Sequence, residues 1–373
     1  MAANADPPFR ADHVGSLLRP DAVHEARGQA EKGQITRAQL RAIEDRAISE
    51  AVAMQEGVGL RGITDGEFRR GFWHVDFLTG FSGIKATQSS YAVAFKGEGG
   101  ETAETRSMMV VDDKIRREKS IAVADFAYLK SVTKRTAKLC IPAPTYLHIR
   151  GGRKVVSTKA YPDIEEFWTD IISAYRAEIA DLGKAGLTYL QLDDVSIAYL
   201  CDKDIRAQVE RDGENADRLA AKYRDVLNAI IAGRPKEMGV TIHTCRGNFQ
   251  SLWMASGGYD AIAETIFGGL EADGYFLEYD TERSGGFEPL RFVRKGTRVV
   301  LGLVSTKKPE LESKDALKRR IDEAAKYVPL ENLCLSPQCG FASTHHGNRI
   351  TPDIQRRKLA LVVEVATEVW GSL

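Results

Sequence analysis

Apolar positions along this chain recur in two rhythms. Residues 163–182 place Ile164, Phe167, Trp168, Ile171, Ile172, Tyr175, Ile179 and Leu182 at i, i+3, i+4, i+7 spacing, which predicts a helix burying one face. Asp163 followed by Glu166 resembles a capping box at its start, and Gly183 and Gly186 can end it. Further helices are expected over 45–57, 204–232, 313–327 and 353–369, the last opening on Thr351-Pro352, a cap residue and then proline at the first helical position. Between the helices run short apolar segments at 60–64, 138–143, 188–192, 239–244, 274–279, 298–304 and 331–336. An early run near residues 9–14 completes a set of about eight.

Strand alternating with helix implies parallel strands joined by right-handed crossovers. Eight such units predict an α/β chain forming one (β/α)8 TIM barrel over residues 1–373. An open doubly wound sheet is the competitor, but no early strand runs into a G-x-G-x-x-G or G-x-x-x-x-G-K-[ST] loop. Residues 80–135 break the rhythm. Their glycines, with alternating stretches at 91–95 and 107–111, predict a β-hairpin inserted after the second strand.

Composition narrows the chemistry. The 373 residues carry 52 Lys+Arg against 52 Asp+Glu, so no polyanion-binding surface and no nucleic-acid partner is expected. No run approaches the ~18 apolar residues of a membrane helix. The start MAANADPPFRADHVG lacks a secretory signal, and five cysteines, an odd number, suit a reducing, cytoplasmic compartment. The sequence carries no signal for an oligomeric state.

A barrel gathers its active site at the C-terminal ends of its strands. Polar residues fall there repeatedly: Ser16, Asp65 and Glu67, His148, Asp193 and Asp194, His243 to Asn248, Glu278 to Asp280, Ser305 to Lys307, Ser336 to Cys339. In His243-x-Cys245 the two side chains share one face of a strand. Glu278 and Cys339 lie on later strand ends, so these four could hold one Zn²⁺ with mixed N, O and S donors. The competing reading is a core histidine beside buried thiols. Cys140, Cys201 and Cys334 sit in apolar settings and read as packing residues. Two thiolates and a carboxylate around zinc suit deprotonation of an incoming thiol better than activation of water. The expected partners are therefore a small-molecule thiol substrate and an alkyl donor.

Ile63-Thr64-Asp65-Gly66-Glu67-Phe68, Tyr189-Leu190-Gln191-Leu192-Asp193, His243-Thr244-Cys245-Arg246-Gly247-Asn248, Phe276-Leu277-Glu278-Tyr279-Asp280 and Ser336-Pro337-Gln338-Cys339-Gly340-Phe341 resemble, in order, the catalytic barrel of cobalamin-independent methionine synthase. The resemblance implies zinc on His243, Cys245, Glu278 and Cys339, and methyl transfer from 5-methyltetrahydrofolate to homocysteine. It implies that Ser16, Glu67 and Asp193 hold the amino-acid part of that thiol. Asp194 or His148 is the expected proton relay to the leaving amine. The chain departs from the longer synthases in having one barrel, no tryptophan after the third strand, and Lys307 where a histidine is expected. The single-barrel epoxyalkane:coenzyme M transferases are the alternative. Their sulfonate would want arginine, and Arg246, Arg69 and Arg70 flank the expected site, with Lys307 a further candidate anion-binding residue and an ion pair to a nearby acid as the plainer role for Arg246.

Overall fold

The computed structural model describes residues 6–371. The strands are β1 (Gly62–Ile63), β2 (Ser82–Lys96), β3 (Thr102–Arg116), β4 (Thr136–Pro142), β5 (Tyr189–Asp194), β6 (Gly239–Thr244), β7 (Gly274–Glu278), β8 (Arg298–Val304) and β9 (Leu333–Pro337). Seven of them form a curled parallel sheet in the order β1-β4-β5-β6-β7-β8-β9. Every residue of β5, β7 and β9 is buried, as parallel strands covered by helices on one side and packed side chains on the other should be.

The eighth stave is not a regular strand. Residues near 9–14 meet β9 through one parallel bridge, Ala11 to Leu335, with Asp12 N donating to Leu335 O at 3.0 Å. On the other side Leu17 N donates to Gly66 O at 3.0 Å, and the His13 ring contacts Gly62 O at 3.2 Å. The barrel thus closes through a seam between the two ends of the chain. Inside it, Lys138 Nζ lies 3.0 Å from Asp12 Oδ1, both fully buried, and Tyr189 donates to Asp12 Oδ2 at 2.8 Å.

The helices follow the apolar stripes. Ile164–Lys184 begins on Asp163, whose side chain accepts from Glu165 N, and buries Phe167, Trp168, Ile171 and Tyr175. Pro352–Trp370 begins on Thr351, which accepts from Ile354 N. The expected helix over 204–232 is two helices, Lys203–Arg211 and Ala216–Ile231. Gly213 takes φ +88°, and Asn215 caps the second helix by accepting from Arg218 N at 2.9 Å.

The segment 80–135 holds more than a hairpin. β2 and β3 pair antiparallel, but Val123–Val132 is a helix that buries Phe126 and Leu129 and returns the chain to the barrel at β4. The side chains of 89–93 lie outside the described residues, and with them most of the alternation expected at 91–95. The hairpin does not stand free. Lys96 bridges Trp253, Val111 bridges Val156, and Lys308 pairs with Glu98 at the hairpin tip.

Candidate metal centre and substrate cavity

The C-terminal mouth of the barrel opens into a cleft. Its wall includes Ser16, Glu67, Asp193, His243, Cys245 and Cys339, six side chains from five strand ends or the turns after them. β6 supplies His243, and Cys245 follows it directly. β7 ends on Glu278, and the turn after β9 carries Cys339.

One ligand atom from each of His243, Cys245, Glu278 and Cys339 lies within 4.8 Å of all the others, and all four residues are buried. The two Sγ atoms are 3.4 Å apart. That approaches the roughly 3.8 Å expected of two thiolates at ~2.3 Å on one tetrahedral ion. Both ring nitrogens of His243 are buried without a hydrogen-bond partner of sound geometry. Such an orphaned ring is costly in a core and ordinary for a metal ligand. The donor set therefore fits zinc.

The surroundings hold two of the four donors, Cys339 and Glu278, low, while the hydrogen bond to Cys339 and burial push the Cys245 thiol well up. The hydrogen bond from Cys245 pulls the Cys339 thiol well below its ordinary range, against the pull of burial, with His243 adding to the effect. Burial works to raise Glu278, but Lys307, Arg283 and Arg246 outweigh it and hold the carboxyl low. Glu278 Oε1 accepts from Arg246 N at 3.0 Å.

A second group faces the same space. Glu67, Cys140 and Asp193 offer ligand atoms within 4.8 Å of one another. Cys140 donates to Val14 O at 3.0 Å, and burial pushes its thiol well up, so it stays protonated. Burial pushes Glu67 up to about 8, with Arg70 opposing and Asp193 and Asp65 adding to the rise. Burial likewise raises Asp193 to about 6. Two buried carboxyls that resist ionising together could accept a cation between them. Glu67 is held there at φ +60°, a strained setting for a residue with a side chain. Ser16 packs so close to Gly340 that a Cβ on the glycine would lie 1.9 Å from the Ser16 hydroxyl oxygen.

Three expected residues sit elsewhere. Asp194 accepts from Ile197 N at 2.6 Å and from the Thr145 hydroxyl, so it caps the short helix Ser196–Tyr199 instead of facing the cleft. His148 touches Tyr223 OH at 3.0 Å and Glu214 at 3.5 Å, behind the wall, and burial lowers its ring to about 4. Neither is placed to relay a proton to a substrate in this cleft. Arg246 is fully buried and donates to Gly257 O at 2.8 Å, Tyr259 OH at 3.0 Å and Glu278 O at 3.2 Å. It braces the ends of β6 and β7 and, among the described residues, forms no salt bridge. Lys307 Nζ is buried with no partner and lines a separate groove with Asp280, Arg283 and Ser305.

Several wall residues were not expected from the sequence, four of them aromatic or charged and close to one another. Phe72, Trp73 and His74 come from the loop after β1, and Arg150 from the turn after β4. Phe72 and Trp73 sit at near-helical spacing with Phe68 and Phe77, which mimics a core stripe. The His74 ring packs tilted against Tyr146 with ring centroids 4.2 Å apart, and both its nitrogens lack partners among the described residues.

Comparison with known proteins places the chain in one family. Residues 9–368 match the family described as "Cobalamin-independent synthase, Catalytic domain". The chain is 46% identical to the uncharacterized protein YxjG of Bacillus subtilis, over 98% of this chain and 95% of that one. It is 24% identical to the 5-methyltetrahydropteroyltriglutamate–homocysteine methyltransferase of Lactococcus lactis, over 91% of this chain but 41% of the longer enzyme. A crystal structure of a putative vitamin-B12 independent methionine synthase from Listeria monocytogenes superposes with a TM-score of 0.78 at 37% identity, covering 99% of this chain and all of that one. A B12-independent methionine synthase from Shewanella shares the fold at TM-score 0.69 and 18% identity over 96% of this chain and 97% of that one.

Proposed function

The chain belongs to the cobalamin-independent methionine synthase catalytic-domain family, and from that premise we propose that it is a zinc-dependent transferase moving a methyl group from a 5-methyltetrahydrofolate-type donor to the thiol of homocysteine. The observation that carries this reading is the convergence of His243, Cys245, Glu278 and Cys339, three of which line one cleft with the Glu67–Asp193 pair.

In this reading His243, Cys245, Glu278 and Cys339 hold the metal. A zinc ion there supplies the means to deprotonate an incoming thiol at neutral pH. Glu67 and Asp193 take the substrate ammonium, and as that cation arrives the pair loses the proton it otherwise shares. Ser16 lies on the same wall, where its hydroxyl can donate to the substrate carboxylate. Fixing both ends of the amino acid leaves its thiol aimed at the metal set; sulfur then attacks the methyl carbon in line as the methyl–nitrogen bond of the donor breaks, and the donor nitrogen keeps that electron pair and takes up a proton, balancing the one the thiol gave up. Phe95, from the hairpin, packs on Phe249 at 5.4 Å over the cleft and keeps water from the reacting atoms.

The epoxide-opening alternative keeps one supporting observation, the unpartnered Lys307 ammonium. Against it, the acid pair in the cleft repels a sulfonate and attracts an amino acid. The test offers zinc-loaded protein homocysteine and coenzyme M separately. X-ray absorption counts sulfur neighbours of zinc, and mass spectrometry follows methionine formed from 5-methyltetrahydrofolate. Homocysteine should add one sulfur and coenzyme M none. No added sulfur with either thiol sinks both transferase readings.

A further inference from the structure

β5 is buried throughout, yet Gln191 stands in it between Leu190 and Leu192. Its side chain is fully buried and forms no part of the cleft wall. The amide nitrogen donates to Asp193 Oδ1 at 2.7 Å and to the backbone carbonyl of Val14 at 2.6 Å. Both neighbours are acceptors, so the end of the amide that faces them is the NH2, with both its hydrogens spent. The amide oxygen is left buried without a partner. A buried acceptor in that state is costly, and a methionine would fill similar space without it. The side chain is therefore there for its two donors.

Those donors reach the two halves of the amino-acid site. Asp193, two residues further along β5, projects to the same side of the strand and lines the cleft. With Oδ1 held by the amide, Oδ2 has no hydrogen-bond partner and the carboxyl no salt bridge among the described residues. Val14 lies two residues before Ser16, on the irregular stave that closes the barrel. Its carbonyl takes a second donor, Cys140 Sγ at 3.0 Å, so the first stave, β4 and β5 meet at one oxygen. One amide thus ties the carboxyl that takes the substrate ammonium to the segment carrying the hydroxyl that takes its carboxylate.

We propose that Gln191 is the positioning residue of the amino-acid subsite: by locking Oδ1 of Asp193 to the first stave it presents Oδ2 to the substrate ammonium, and so makes the site select thiols that carry an amino group. This role rests on the reading of Glu67 and Asp193 as the ammonium receptor. A purely architectural amide, joining β5 to the first stave, would affect every thiol alike.

The test titrates two thiols into the zinc-loaded full chain by isothermal calorimetry: homocysteine, and 4-mercaptobutanoate, which is homocysteine without its amino group. Wild-type protein should bind homocysteine more tightly. Gln191→Met, similar in length and without donors, should lose homocysteine affinity at least about tenfold, the size of one hydrogen bond to a charged group, and change 4-mercaptobutanoate affinity less than about twofold. In Gln191→Glu the new carboxyl lies between two acceptors, so it stays protonated and donates one hydrogen bond. That variant should keep part of the preference, and its matching size carries the test if Gln191→Met does not fold. Unchanged zinc content and circular dichroism separate the effect from loss of metal or fold. Where wild type prefers homocysteine, equal loss for both thiols or no loss for either overturns the role of Gln191 and leaves the transferase reading standing. A wild-type protein with no preference between the thiols refutes the ammonium receptor itself, and the role of Gln191 with it.

Discussion

The sulfur atoms of Cys245 and Cys339 lie 3.4 Å apart across 94 residues of sequence. With no disulfide among the described residues, two buried thiols at this distance need a reason. The reason offered here is a shared metal. Cys245→Ser should cut zinc affinity by at least about 100-fold, the upper end of what even outer partners of a metal ligand cost. Zinc content after desalting, by mass spectrometry, measures it. Cys334→Ser, on β9 but away from the set, should retain stoichiometric zinc. Equal zinc in wild type and Cys245→Ser would sink the assignment.

The Glu67–Asp193 pair predicts a pH effect on stability. Glu67 is raised from 4.5 to about 8 in the fold. A raised carboxyl stabilises the fold below its ordinary range and loses that contribution as pH climbs through the folded value. The ligand-free protein should therefore lose stability between about pH 5 and 8, on the order of 1–3 kcal/mol. Glu67→Gln keeps the neutral shape, so its melting temperature should match wild type near pH 5 and exceed it above pH 8. Parallel melting curves across that range would contradict the shifted carboxyl.

The same substitution should weaken the thiol substrate. Replacing one carboxylate of an ammonium receptor costs roughly 1.5–3 kcal/mol, or ten- to a hundredfold in KM for homocysteine. A rise in KM without a matching fall in zinc content separates substrate binding from metal loss.

Arg19 donates to Ala342 O and Thr344 O at 3.1 Å, to Glu67 O at 2.8 Å and to Arg70 O at 2.9 Å. It ties the loop carrying Glu67 to the loop after Cys339. Arg19→Met should cost about 2–4 kcal/mol, because several buried carbonyls lose charged donors at once. It should also raise KM for homocysteine by displacing Glu67. Denaturant unfolding and steady-state kinetics read the two effects.

Lys138→Met should be harsher than its size suggests. It leaves Asp12 buried and unpaired inside the barrel, at about 3–5 kcal/mol. The double variant Lys138→Met with Asp12→Asn should recover part of that loss. A double variant no more stable than the single one would show that packing, not charge, sets the cost.

Much of this was legible in the sequence, for physical reasons. Parallel strands must be continuously apolar and must end in polar residues where the site lies, so β5 to β9 and the four donors stand out in the primary structure. The same rule misplaced Asp194, because a carboxyl at a strand end serves equally well as a helix cap. Arg246 misled because carbonyl partners leave no trace in residue order. His74 and Arg150 come from irregular turns without periodicity, and Trp73 from a spacing that mimics a core stripe, so only the folded chain brings them together. The single helix expected over 204–232 failed at Gly213, one residue free to turn left-handed.

The seam between Ala11 and Leu335 has a temporal meaning. A chain leaving the ribosome exposes its first stave long before the last one exists, and the edge of the sheet stays open until β9 has emerged. Cys339 follows that strand almost at once. Sealing of the wall and completion of the metal donors are thus nearly one event, so zinc uptake by nascent chains would mark the moment the barrel is finished.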